Sequence, residues 1–513
     1  DKIICIIFTH GDVELGHQIF KDSHVEEVNF LTKDIPGTNS DTFSQADSLK
    51  AINVSINYYE LYDDKWKNEI DQASFALLSE TDSSFQTKNG FEYLEMYYRD
   101  RSHATILLNA PTNLIQFDEN SIPGVTITEI GQHAFSECKN LKHVKLSKHI
   151  NQIDSYAFYG CEALESIFSE NTDSITIQEN ALEITDSWLF DLRYMAFNAK
   201  KAIFENDYLP SVTKQIYIPF DGEGYNGGNT YSGAYFIDES YGGEILYGYA
   251  RGTDQNGNTV TVEDEFYLIN ATTDVQGDVA TKEGTFEICT SAFEDVPITS
   301  VQFNMTDDMY WIDDYAFYGT NLTGELVLPD GLGPIGQVAF YGSNISKVIF
   351  PKTYGNDTDY PACLWTNTFG GDESLSEIVF QNATPIELFY NKFTEYTFGD
   401  MASEDFHITL IGAAKGLEQK YIDAWKYRFI ACENNDPSVN EEKLNQSVKK
   451  IAGLLGYTLP ETGTQPDDNQ EVVPDVEKAP EDNQQEVNDE DQNDQQDENK
   501  QEALENEVDE NDN

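Results

Sequence analysis

Two stretches of the chain repeat one hydrophobic pattern without a gap. Ile130, Ala134, Phe135, Cys138, Leu141, Val144 and Leu146 make the first copy. Ile153, Ala157, Phe158, Cys161, Leu164 and Ile167 make the second, each matched position lying 23 residues further on. Looser copies follow at Ile288, Ala292, Phe293, Ile298 and Val301; at Ile312, Ala316, Phe317 and Leu322; at Ile335, Ala339, Phe340, Ile345 and Val348; and at Phe369, Leu375 and Ile378. Near the start, Phe43, Ala46, Leu49, Ile52 and Val54 keep the same offsets. One coil of this length cannot bury its apolar face alone, so coils must stack and hide Phe, Leu and Val in continuous ladders. The Leu-x-x-Val-x-Leu stretch reads as the repeating strand, its last two apolar positions alternating with period two. The Ala-Phe stretch is the opposite, less extended side.

A 23-residue period falls within the range of leucine-rich solenoids. The motifs resemble the BspA-like family, the type-5 leucine-rich repeats of bacterial and protist surface proteins, closely over 127–167 and more loosely over 286–380. Tyr421-Ile-Asp-Ala-Trp425-Lys-Tyr427 is similar to the Tyr-rich, Trp-containing module that closes such arrays. The resemblance implies a β-rich leucine-rich-repeat solenoid (α/β repeat class). It also implies adhesion to host or neighbouring-cell protein, or to matrix. A solenoid is a scaffold, so the fold itself names no ligand.

The pattern divides the chain. Repeats are expected over 111–220, and again over 286–432 with a closing cap. Residues 1–110 are mostly off-pattern and read as degenerate repeats or a separate cap. Over 221–285 the period is lost. Residues 221–229 form a loop by composition, and 245–250 and 259–269 read as strands around a turn at 254–258, giving a small β insertion or degenerate coils. Leu444, Val448, Ile451 and Leu455 form a helical stripe, so 433–459 is a short helix and linker. Residues 460–513 carry 21 acidic and two basic side chains and no aromatic. Such a segment has too little apolar surface to offset its ordering entropy and is expected to be a disordered acidic tail, either solubilising or a self-repelling spacer.

Charge narrows the partners. Asp and Glu number 92 against 31 Lys and Arg, a net charge of −61. Nucleic acid and anionic membrane surfaces are thereby excluded as main partners, because phosphates would be repelled. The longest apolar runs, such as Ile3 to Phe8, fall far short of the roughly 20 residues that span a bilayer. With no basic, apolar leader and a start at Asp1, the chain reads as a mature or trimmed soluble protein, extracellular or at a cell surface. Leu459-Pro-Glu-Thr-Gly463 resembles the cell-wall sorting signal of Gram-positive surface proteins, but an acidic tail follows where that family has an apolar span and basic residues. Sequons at Asn53, Asn270, Asn304, Asn321, Asn344, Asn356, Asn382 and Asn445 matter only in a eukaryotic secretory pathway.

Candidate chemistry is sparse. The six cysteines (Cys5, Cys138, Cys161, Cys289, Cys363, Cys432) fit no zinc spacing. Cys138 and Cys161 occupy equivalent places in adjacent coils, about 5 Å apart, as a disulfide or as two buried thiols. His10, Asp12, His17 and His24 gather metal-type ligands without a metal-type spacing, which favours solvated loop residues. Asp254, Asn256, Asn258, Val260, Val262 and Glu265 fall on a calcium-loop template, but Thr259 stands where glycine is required. A hairpin turn is the better reading; loose Ca2+ binding stays open, and no other cofactor is expected. There is no nucleophile elbow, phosphate loop or Cys–His pairing, so no catalytic residue is assigned and no enzyme is expected.

The strand register supplies the site hypothesis. The residue between Val and Leu should point away from the core. That position holds Lys145, Phe168, Gln302, Val327, Ile349 and Val379, four of them apolar. An exposed apolar ladder marks an interaction surface; the competing readings are that other chain segments cover it, or that β-branched residues serve strand propensity. The expected function is a non-enzymatic extracellular binding or adhesion protein for protein or matrix ligands, host proteins included. The alternatives are a self-associating surface-layer component, or an enzyme with its site in 1–110 or 221–285.

Overall fold

Val144 in the strand His143–Leu146 lies beside Ile167 in Ser166–Ser169, and the two strands run parallel with every partner 23 residues away. That ladder is the predicted one. The computed structural model describes residues 5–8, 13–32, 34–55, 58–81, 83–97, 103–178, 180–181, 192–204, 215–219, 229, 232–304, 311–354, 363–365, 367–371, 374–381, 384–388, 406–411, 416–427 and 440–460. The acidic tail beyond Pro460, most of 221–229 and Cys432 lie outside them.

The first array stacks five parallel strands in one sheet: Gln116–Phe117, His143–Leu146, Ser166–Ser169, Tyr194–Phe197 and Ile216–Tyr217. A second parallel ladder closes each coil opposite the first: His103–Asn109, Glu129–Ile130, Gln152–Ile153, Ser174–Ile177 and Lys201–Phe204. The coil's other side is therefore a short strand and a turn. Between the ladders Phe135 and Phe158 stack with ring centroids 5.3 Å apart and planes 3° from parallel. In the second array Phe293, Phe317, Phe340 and Phe369 form an equivalent column of their own at 5.3, 5.0 and 5.4 Å.

The turn that carries Ala-Phe has a fixed backbone signature. Two residues four apart take positive φ in coil after coil: Tyr156 and Gly160, Tyr315 and Gly319, Val338 and Gly342, Asn367 and Gly371. Left-handed backbone is cheap only for glycine, which explains the Gly that follows Phe-x in the better copies. At Gly319 space also demands it, since an added Cβ would meet the Asp295 Oδ1 at 2.2 Å.

Each array opens with an antiparallel meander. Ser84–Lys88, Phe91–Tyr97 and His103–Asn109 lead the first array, joined at the start by Asn89-Gly90 with both residues at positive φ. That is the hairpin turn matched to strand twist. Tyr235–Asp238, Ile245–Thr253 and Thr259–Ala271 lead the second. Thr259–Ala271 then pairs in parallel with Thr285–Ile288, as His103–Asn109 does with Glu129–Ile130. The second array proceeds through Trp311–Ile312 on one side and through Thr323–Val327, Asn344–Phe350, Glu377–Phe380 and His407–Leu410 on the other.

Ahead of both arrays, Cys5–Phe8, Glu27–Phe30, Ala51–Ser55 and Leu78–Thr81 form a four-stranded parallel sheet with its own core. Ile52 and Val54, the sequence-matched positions, are fully buried there. The helix Tyr59–Trp66 sets Tyr62 and Trp66 against Phe30. The helix Leu417–Trp425 sets Tyr421 and Trp425 against Phe380 in the same way. The predicted amphipathic helix is present as Glu441–Leu454, capped where Asn440 accepts from the Lys443 amide at 2.8 Å, with Ile451 and Ala452 buried. Among the described residues no helix is long and apolar enough to cross a membrane.

Candidate binding faces and the junction between the arrays

On the first array the row Lys145, Phe168, Ala196 and Tyr217 points out of the coil. It is not a free surface. Phe168 is 4% exposed and packs in a cluster with Tyr194, Ala196, Tyr217, Tyr235, Leu246 and Ile269. The last three come from the meander of the second array, which lies across this sheet face. The expectation that Phe168 belongs to an exposed ladder is corrected by that burial. Lys145 is half-buried and reaches toward Glu170 at 3.5 Å and Glu239 at 4.0 Å.

The same face carries a polar junction. Lys142 Nζ lies 3.1 Å from Glu165 and 2.6 Å from Asp274. Thr273 donates to Glu165 through its amide and its hydroxyl, each at 2.7 Å. Ser166 and Tyr194 hydroxyls both donate to Glu244 Oε2, at 2.5 and 2.7 Å. His143 faces Ser166 Oγ with Nδ1 (3.0 Å) and Asp274 Oδ2 with Nε2 (3.2 Å). Arg193 donates to the Glu294 carbonyl. Gly243 permits the close approach, since a Cβ there would lie 2.5 Å from the Val275 amide nitrogen. Burial pushes the Asp274 carboxyl up, but hydrogen bonds from Lys142 and His143 outweigh it and hold it below the usual carboxylate range. Beside the network a cleft of about 190 Å³ is lined by Gln116, His143, Lys145, Glu239 and Glu244.

Ser166, His143 and Asp274 stand in the order of a hydrolytic triad, but the arrangement cannot act as one. Ser166 is fully buried, and its proton is committed to Glu244 rather than to the imidazole. A nucleophile needs both substrate access and a base that takes its proton.

On the second array Val327, Ile349, Val379 and Thr409 form one register row. Val327 is 55% exposed, Ile349 half-buried, and Val379 only 1% exposed. Ile349 and Val379 both lie on inner strands, yet only Val379 is fully covered; that burial corrects the expectation of a uniformly exposed ladder. The neighbouring row is charged: Lys347 lies 3.7 Å from Glu325 and 3.2 Å from Glu377, and His407 lies 3.7 Å from Glu377. Gln302 is exposed but belongs to a separate two-stranded sheet, pairs with Ala280, and donates to Asn304 Oδ1 at 2.9 Å.

The other sequence candidates resolve as packing or turns. Cys138 and Cys161 are free, buried thiols, pushed by burial to about 11 and about 12. Cys161 Sγ lies 3.1 Å from the Phe135 carbonyl. Asp254 accepts from the amides of Asn256 and Asn258, each at 2.8 Å, and Asn258 holds its carboxyl below the usual range. That is a turn. His10 and Asp12 lie outside the described residues; His17 pairs with Asp41 at 2.6 Å and His24 is exposed. Among the described residues no group of three or more His, Cys, Asp or Glu is placed to hold a metal.

Sequence reasoning gave no place to Glu287 and Asp313, on the second array. Burial, with Asp313 adding, pushes Glu287 to about 7. Burial, with Asp314 adding, pushes Asp313 to about 6 against a hydrogen bond from Thr290. The signal was available: Glu287 precedes Ile288 as Glu129 precedes Ile130 in the first array.

The BspA type Leucine rich repeat region matches in six copies, over residues 107–216 and 286–398. These are BspA-type leucine-rich repeats. Solved structures are similar to the chain at low identity. A leucine-rich repeat protein from Bacteroides ovatus is 12% identical over 64% of this chain and 76% of its own, with a TM-score of 0.29. The pneumococcal vaccine antigen PcpA is 15% identical over 66% and 96%, with a TM-score of 0.26. A leucine rich cell surface protein from Faecalibacterium prausnitzii is 12% identical over 82% and 91%, with a TM-score of 0.24. No curated protein matches. The BspA-type arrays make this a protein-binding repeat protein, and they leave the ligand to be argued from the faces described above.

Proposed function

We propose that the chain is a non-enzymatic extracellular binding protein, held at or released from a cell surface, whose second array offers its outer strand face to protein or matrix ligands. The observation that carries this reading is exposed Val327 beside Ile349, an apolar row bordered by the charged row Glu325, Lys347, Glu377 and His407. An apolar centre with a polar rim is the anatomy of a protein interface. A net charge of −61 selects a basic partner and steers the encounter. The same charge opposes self-assembly, which would bring two strongly negative chains together.

The test is surface plasmon resonance of the full chain over immobilised extracellular-matrix proteins. Saturable binding is expected, and Val327→Lys should weaken it about tenfold while circular dichroism and melting stay unchanged. Val327→Lys with Ile349→Lys should abolish it. Absence of binding to the whole set, or binding that survives Val327→Lys, would end the proposal.

A further inference from the structure

With Glu244 ionised, the hydrogen bonds of the junction between the arrays can all be made at once only when His143 is protonated. Glu244 Oε2 is a carboxylate oxygen and can only accept, so the Ser166 hydroxyl at 2.5 Å must donate to it. Tyr194 also donates to that oxygen. With its single proton spent, Ser166 Oγ can offer His143 Nδ1 only a lone pair, at 3.0 Å. On the other side of the ring, Asp274 Oδ2 is likewise an acceptor, 3.2 Å from Nε2. Both ring nitrogens therefore face acceptors, and both contacts are hydrogen bonds only when both nitrogens carry protons. A neutral imidazole must leave one contact as lone pair against lone pair. The alternative is for Ser166 to turn its hydroxyl toward the ring and abandon Glu244.

We propose that His143 is a proton switch built into the junction: protonated, it ties the first array to Glu244 and Asp274 of the second; neutral, it releases one of those ties. The charges around it act in the same direction. Glu165, Glu244 and Asp274 converge on the ring and on Lys142, while Asp118, Lys145 and Glu239 line the adjoining cleft. Three carboxylates face Lys142 and the ring, and an imidazolium adds positive charge at that contact. Asp274 keeps its charge throughout because Lys142 and His143 hold its carboxyl low. The sign follows. A tie that needs the charged imidazole is present on the acid side of its titration and is lost as pH rises through it. The protonated ring fixes the two arrays to each other, and the neutral ring loosens their contact without unfolding either core.

The geometry places the effect on identifiable amides. The Glu244 amide donates to Thr272 Oγ1 at 2.9 Å and the Thr273 amide donates to Glu165. The Phe135 amide, bonded to Ala157 within the first core, serves as the internal control. Hydrogen exchange of the full chain, corrected for intrinsic rates, is measured at about pH 5.5 and about pH 8. Protection at Glu244 and Thr273 should fall roughly tenfold or more at the higher pH, the scale of one charge-assisted hydrogen bond, while Phe135 does not change. In His143→Gln, which is never charged, the two junction amides should be weakly protected at both pH values. Equal wild-type protection at the two pH values would overturn the proposal. So would a pH response that persists in His143→Gln. Should that variant fail to fold, the wild-type ratio of junction to control decides alone.

Discussion

Trp66 and Trp425 hold the same place at two ends of the folded chain, and only one of them is fully bonded. Each lies 4.9 Å from a tyrosine four residues earlier, with ring planes at 89° and 90°. Each packs on a strand phenylalanine, Phe30 or Phe380, which in turn meets another, Phe8 or Phe350, at 4.7 and 4.9 Å. Trp425 Nε1 donates to the Ile386 carbonyl at 2.9 Å, whereas buried Trp66 Nε1 has no partner. Replacing either by Phe removes the same atoms from a packed site. Trp425→Phe also leaves a carbonyl without its donor, so it should cost about 1 kcal/mol more than Trp66→Phe. Hydrogen exchange of the strand amides beneath each cap measures the difference.

The row on the second array separates exposure from register. Val327→Lys should change stability by no more than about 0.5 kcal/mol, because the side chain already meets water. Val379→Lys, two strands away in the same row, buries an unpaired ammonium and should cost several kcal/mol or prevent folding. Melting temperatures of the two variants, compared side by side, check this; equal effects would mean that the strand register is misplaced.

Left-handed corners differ in how much room they have. Gly319→Ala adds a Cβ that meets Asp295 Oδ1 at 2.2 Å, whereas at Gly342 the nearest atom is 3.9 Å away. Both pay the left-handed cost of roughly 1 kcal/mol. Gly319→Ala should cost distinctly more, and Asp295→Ala should restore part of the loss. Thermal melts of the two singles and of the double variant measure it.

Glu287 sets a pH slope for the second array. Its carboxyl titrates at about 7 in the fold against an unfolded value of 4.5, chiefly because burial disfavours its charge. Between those values the native state holds the extra proton, so stability declines as pH rises from about 4.5 to about 7. Glu287→Gln removes this slope. It should melt higher than the wild type at about pH 8 and nearly equal to it at about pH 4.5. A variant that melts lower at the higher pH would show that the carboxylate is a net stabiliser there.

What local pattern can encode was readable here. Phe135 above Phe158 followed from a gapless offset, and Tyr421 and Trp425 from a resemblance to a closing module. Tyr62-x-x-x-Trp66-Lys has the same spacing as Tyr421-x-x-x-Trp425-Lys, but the degenerate repeats beside it mask the module. Asn89-Gly90 is a hairpin signal between two strands, set in a region where the repeat pattern is absent. The fate of Phe168 was out of reach for a different reason. Its cover, Leu246 and Ile269, comes from residues far along the chain, and no periodicity says which outward row will be claimed by a distant segment. The same holds for His143, whose partner Asp274 is 131 residues away.

The antiparallel meanders have a consequence for assembly. A stack of parallel coils ends in rows of unused amide and carbonyl groups, and nothing in the repeat itself tells it to stop adding neighbours. Ser84–Lys88, short and mostly polar, ends its sheet as the outer arm of a tight hairpin with Phe91–Tyr97 in place of a further coil. At the far end, the Tyr421 and Trp425 helix lies over the last rings. A hairpin at one end and a helix over the other turn an open-ended polymer design into a ruler of fixed length.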